Sequence, residues 1–158
     1  MKAITLHQPW ASLVAIGAKR IETRSWKTNY RGELAIHASK TSNKNICQSG
    51  IEPFFTILKQ AGFIEIKNGR LIDYLPRGVI IATCNLFDCR EITVRMLTDS
   101  KEHIGWYING YFWKFDYRER EFGDFTIGRY AWFLKDVKIL SEQIPAKGML
   151  GLWEYGGL

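Results

Sequence analysis

The chain has little of what would mark an exported, membrane-bound or metal-clustered protein. Its 158 residues include three cysteines, Cys47, Cys84 and Cys89, an odd number at spacings that match no paired zinc motif. No disulfide framework or metal site is expected, and reduced thiols predict a cytoplasmic protein. The longest apolar run, near Val79 to Ala82, falls far short of the roughly 18 residues that a bilayer span needs, and the N-terminus has no signal-peptide layout. No membrane partner is therefore expected. G-x-S-x-G, Walker and dinucleotide glycine patterns are absent, so no cofactor is expected. No period of about 20–50 residues recurs, which excludes solenoids and propellers.

What is present suits a packed domain. Hydrophobic residues make up 46% and charged residues 24%, close to globular averages. The length predicts one domain spanning 1–158. The net charge is +6, and it is concentrated. Residues 17–44 hold seven basic side chains against two acidic ones, Glu22 and Glu33. A local excess of this kind sets up a field that attracts phosphate.

Strands outnumber helices. Lys2–Leu6 reads as a strand, and Pro9 suits the first turn of a helix over Trp10–Ile16 that Gly17 would end in the left-handed conformation. Arg20–Arg24 alternates, placing Arg20, Glu22 and Arg24 on one face and Ile21 and Thr23 on the other. In Glu33–Ser39, Leu34, Ile36 and Ala38 share one face while Glu33, Ala35, His37 and Ser39 share the other, as in a half-buried strand. Glu52–Ala61 reads as an amphipathic helix followed by a less regular return, Val79–Phe87 as a central strand, and Thr93–Thr98 as a short helix. Tyr130–Leu140 and Leu150–Tyr155 complete the strands. The expected fold class is α+β, mainly β, with a small closed or half-closed sheet and helices outside it.

Nine of the twenty residues from Trp106 to Phe125 are aromatic, with Asn109-Gly110 at their centre. That pattern predicts a two-stranded ribbon inserted near 106–125 and turned by a type I′ loop. Its aromatics suit either base stacking or cross-strand pairing that holds the hairpin together.

The residues with chemistry lie mostly in the first quarter. Lys19 follows the Gly17 turn, and Arg24 shares a strand face with Glu22. Two cations around one carboxylate suit Glu22 as an acceptor or ion-pair strut better than as a general acid. Trp10, Trp26 and Tyr30 are stackers, while Arg31, His37, Ser39 and Lys40 add cations and hydrogen-bonding groups. Together they form the vocabulary of a pocket for a base or nucleotide.

G-x-K-x-x-E-x-R, present as Gly17, Lys19, Glu22 and Arg24, resembles the signature of the ASCH domain (activating signal cointegrator homology), a relative of the PUA RNA-binding fold. His7-Gln8-Pro9-Trp10, Arg24-Ser25-Trp26, Tyr30-Arg31-Gly32, Ile36-His37-Ala38-Ser39-Lys40, Gly128-Arg129-Tyr130-Ala131-Trp132 and Gly151-Leu152-Trp153 are also similar to that family. The resemblance implies a PUA-like β-barrel flanked by helices, with a cleft where the signature residues meet. It further implies that the partner is RNA or another nucleic acid, or a nucleotide-like small molecule. Trp10, Lys19, Glu22, Arg24, Trp26, Tyr30, Arg31, His37, Ser39 and Lys40 would then be the ligand-binding residues.

An alternative is a small hydrolase acting on a modified nucleoside or on RNA, with Lys19 and Glu22 as its catalytic residues. The family branch similar to bacterial acetylcytidine amidohydrolase has a nucleophilic threonine at the place of Glu22. Here Thr23 is one residue along, on the opposite face, so a different mechanism would be needed. A third reading is an interaction domain whose aromatic hairpin contacts a protein.

Overall fold

The computed structural model describes residues 1–42, 51–98, 101–108, 111–114 and 117–157. Its elements are β1 (Lys2–Gln8), α1 (Trp10–Ala15), β2 (Ile21–Arg24), β3 (Gly32–Ser42), α2 (Phe54–Gln60), β4 (Ile64–Lys67), β5 (Arg70–Asp73) and β6 (Val79–Glu91). They continue as β7 (Val94–Thr98), β8 (Lys101–Ile108), β9 (Tyr111–Lys114), α3 (Tyr117–Glu121), β10 (Tyr130–Pro145) and β11 (Leu152–Glu154). Strands make up 51% and helices 13%, so the fold is α+β and mainly β, as the alternating segments indicate. Six strands are hydrogen-bonded in the order β11-β1-β3-β6-β10-β2, with separate ladders β4-β5 and β7-β8-β9. No described helix is long and apolar enough to cross a membrane.

The chain divides into two compact units, the first comprising Met1–Lys19, Glu33–Asn85 and Asp136–Leu158, the second Arg20–Gly32 and Leu86–Lys135. In the first unit β1 runs parallel to β3, pairing Lys2 with Leu34 and Leu6 with Ala38, and antiparallel to β11. Helix α1 buries Ala11 through Ala15. It ends where Gly17, at φ +72°, donates its N–H to the Val14 carbonyl at 2.9 Å. A residue with a Cβ resists that left-handed conformation, which is why glycine closes the helix. Gln8 ties the start of the helix down: its amide nitrogen donates to the Pro76 carbonyl at 2.7 Å and its oxygen accepts the Ser12 N–H at 3.1 Å.

Strand β3 differs from the half-buried expectation. Leu34, Ala35, Ile36, His37 and Ala38 are all buried, because side chains pack over both faces of β3 as well as strands along both its edges. Ala35 belongs to a core with Ala3, Ile80 and Trp153. The return after α2 is also more regular than expected: β4 and β5 pair as a hairpin with Lys67 opposite Arg70. Asn68 (φ 50°) and Gly69 (φ 73°) turn it with the two positive φ values of a type I′ loop.

In the second unit Thr93–Thr98, expected as a short helix, contains instead β7, which pairs with β8 from Val94 opposite Gly105 to Thr98 opposite Lys101. A partner strand outweighs the weak helical pattern of so short a segment. Strands β8 and β9 pair antiparallel with Ile108 opposite Tyr111. The Asn109-Gly110 dipeptide read as their turn lies outside the described residues. Beyond β9 the aromatic segment is not ribbon: Tyr117–Glu121 is α3. The unit's core gathers Ile21, Ile92, Phe125 and Ala131, with Phe133 against them.

Candidate functional site

Strand β2 carries Glu22 and Arg24, two of the four signature residues. It pairs with β10 so that Glu22 stands opposite Trp132 and Arg24 opposite Tyr130. The predicted alternation holds: Ile21 and Thr23 are buried, while Glu22 and Arg24 are half-buried on the other face. There the Arg24 Nε lies 3.1 Å from Glu22 Oε1. Side chains two apart on a strand share a face, and an arginine and a glutamate so placed reach each other without distorting the backbone.

The other predicted residues of the second unit are aromatic and basic. Trp26 meets Trp132 edge-on, with ring centroids 4.6 Å apart, and its carbonyl accepts the Trp132 Nε1–H at 3.4 Å. Tyr30 folds back toward Gly32, where an added Cβ would lie 3.5 Å from the phenol oxygen. Arg31 is exposed and donates to the carbonyls of Thr28 (3.1 Å) and Tyr30 (2.8 Å), which leaves its other terminal nitrogen 3.4 Å from Asp88. Asp88 also accepts from Arg90 and from the Cys89 N–H. Burial pushes its carboxyl up, but the Arg90 bond, the Cys89 amide and the Arg31 charge outweigh that and hold it below the usual range. Two arginines thus share one carboxylate.

The edge of β2 away from β10 is covered by residues that sequence reasoning missed. Glu119, on α3, accepts the N–H of Arg20 at 2.7 Å and of Ile21 at 3.1 Å. Thr23 Oγ1 accepts the Asp124 N–H at 3.1 Å, and Arg129 donates to the Thr23 carbonyl at 3.3 Å. Thr23 is thereby turned inward, away from the Glu22–Arg24 face.

The first unit holds the remaining predicted residues. Lys19 is fully buried and engaged, and its N–H donates to the Leu13 carbonyl at 3.0 Å. Trp10 packs edge-on against Phe54 at 6.3 Å. His37 is 2% exposed, with Nε2 3.1 Å from the Ala146 carbonyl and its ring edge-on to Trp153. Burial holds its pKa below the ordinary histidine value despite the Ala146 bond. Ser39 Oγ lies 2.9 Å from Thr41 Oγ1, which in turn lies 2.9 Å from His7 Nδ1. Lys40 is exposed, its aliphatic stem lying over Gly78. No group of three or more His, Cys, Asp or Glu among the described residues is placed to hold a metal ion. Burial pushes the Cys84 thiol up to about 12, which leaves it a poor nucleophile.

The sequence profile of the ASCH domain family matches residues 4–126. The chain is 38% identical over 88 residues to Activating signal cointegrator 1 of Homo sapiens, a stretch that covers 54% of this chain and 14% of that protein. It is 36% identical over 86 residues to the Mus musculus protein of the same name, again 54% of this chain and 14% of the relative. The chain thus spans only a small part of the length of these relatives.

Proposed function

Because the chain belongs to the ASCH domain family, we propose that it binds single-stranded RNA on the second-unit surface that carries Glu22, Arg24, Trp26, Tyr30 and Arg31. The observation that carries this reading is the Glu22–Arg24 pair at 3.1 Å on a strand face whose neighbour is the Trp26–Trp132 pair. Residues 20–32 contain four cations, Arg20, Arg24, Lys27 and Arg31, against the single carboxylate of Glu22. Such a strip attracts phosphates, and the half-buried rings of Trp26 and Tyr30 offer a base a stacking partner. Arg24 and Arg31 contact phosphate or a base edge, Glu22 orients Arg24 or accepts a base amino group, and Trp26 or Tyr30 stacks. The family resemblance to PUA-like RNA binders favours RNA, which the protein would meet in the cytoplasm.

The hydrolase alternative has less support. It asks Glu22 to act as a base and Lys19 as a charge stabiliser, yet Glu22 is ion-paired to Arg24 and Lys19 is fully buried. Fluorescence anisotropy with a labelled single-stranded RNA decamer tests the binding reading. Arg24→Ala and Arg31→Ala should each weaken binding about fivefold or more, the loss of one charge-assisted contact. Unchanged affinity in both variants would contradict it.

A further inference from the structure

The Arg20–Ile21 peptide that opens the signature strand is held from two directions. Its outward amides, those of Arg20 and Ile21, both donate to one carboxylate, Glu119, at 2.7 and 3.1 Å. The Arg20 carbonyl accepts the N–H of Leu134 at 2.8 Å. Glu119 is itself buried, at 8% exposure. A carboxylate on two successive amides forms charge-assisted bonds that are stronger and more directional than neutral ones. Two residues on, Thr23 is gripped in the same way: Asp124 N–H donates to its hydroxyl and Arg129 to its carbonyl. Arg129 also reaches the Asp124 carbonyl at 3.1 Å, so the two grips are tied together. At Gly123, an added Cβ would lie 2.8 Å from the Phe125 ring of the same segment and 3.2 Å from Thr23 Oγ1, so a side chain there would crowd the Phe125 ring and press on β2.

We infer that Glu119 is a positioning residue of the ligand-binding face: by holding the Arg20 and Ile21 amides it sets how β2 presents Glu22 and Arg24. This rests on the RNA-binding reading of that face. Residues 119–129 occupy the place of a neighbouring strand along the edge of β2, taking the Ile21 N–H and donating to Thr23, and so block pairing with another chain. They add what a strand would not: an ionised group immediately before the functional pair. Glutamine at 119 would keep the shape but bring its amide donors against an N–H, so one of the two bonds is lost. Aspartate keeps the charge but is one methylene shorter and reaches one amide.

The test is a double-mutant cycle on the full chain with the RNA decamer as probe, alongside 1H–15N spectra of each variant. Glu119→Gln should weaken binding about fivefold in the wild-type background, no more than Arg24→Ala itself does, and less than about twofold in the Arg24→Ala background, because its effect is exerted through Arg24. Glu119→Asp should fall between wild type and Glu119→Gln, and it replaces Glu119→Gln if that variant does not fold. Equal losses in both backgrounds, or no loss, would overturn the inference. If the wild-type chain binds no decamer, the RNA reading falls and the positioning role is judged on spectra alone. The Arg24 Nε–H resonance should then move in Glu119→Gln together with the Arg20 and Ile21 amides, and an unmoved Arg24 resonance would reject it.

Discussion

Gly148 lies so close to His37 that a Cβ built on it would sit 2.4 Å from the imidazole Cε1 and 2.6 Å from Nδ1. The ring has little room to yield, since Nε2 is bound to the Ala146 carbonyl and the ring edge meets Trp153. Gly148→Ala should therefore cost about 1–3 kcal/mol, the usual range for overpacking a core. At Gly17 an added Cβ meets nothing within 4 Å, and only its φ of +72° resists substitution. Gly17→Ala should cost about 1–2 kcal/mol from backbone strain alone. Urea unfolding of both variants checks the pair. The Gly148 variant should also shift the His37 ring resonances, and the Gly17 variant should leave them in place.

His37 makes stability depend on pH. The unfolded imidazole titrates near 6.5, and burial holds the folded one below that value. In the interval between, the unfolded chain binds more protons, so acid favours unfolding there. The contribution is complete above the unfolded value and is lost as pH falls through 6.5 toward the folded pKa. Melting temperature should therefore fall between about pH 7.5 and about pH 5.5, and His37→Phe should flatten that fall. An equal slope in the two proteins would show that His37 is not the group responsible.

The Cys84 thiol should be inert in the folded chain. With its pKa pushed up to about 12, only about one molecule in ten thousand carries the thiolate at pH 8. In a Cys47→Ser/Cys89→Ser double variant, a thiol reagent should label the native protein only as fast as it unfolds. Labelling at the rate of a free cysteine would contradict the burial.

Much of this organisation was legible in the sequence where the signal is local. Gly17 after the apolar run of α1 marked the helix end, and the alternation through Ile21–Arg24 placed Glu22 and Arg24 on one face. Asn68-Gly69 carried the same hairpin signal as Asn109-Gly110, although the residues around it read as irregular. What stayed hidden depends on remote partners. Strand β7 exists through pairing with β8, and the second buried face of β3 is covered by Trp153, more than a hundred residues away. Glu119 reaches amides 98 and 99 residues earlier in the chain. Tyr117–Glu121 reads as part of the aromatic ribbon, and nothing in its pattern announces a helix or a carboxylate that turns inward.

The salt dependence of RNA binding tests the proposed function most directly. Binding of the single-stranded decamer should weaken linearly on a log–log plot, with a slope of about −0.7 for each phosphate held, and Arg24→Ala should make that slope shallower by about one contact. A flat response to salt, or a slope that the Arg24 substitution leaves unchanged, would contradict phosphate recognition by the Glu22–Arg24 face.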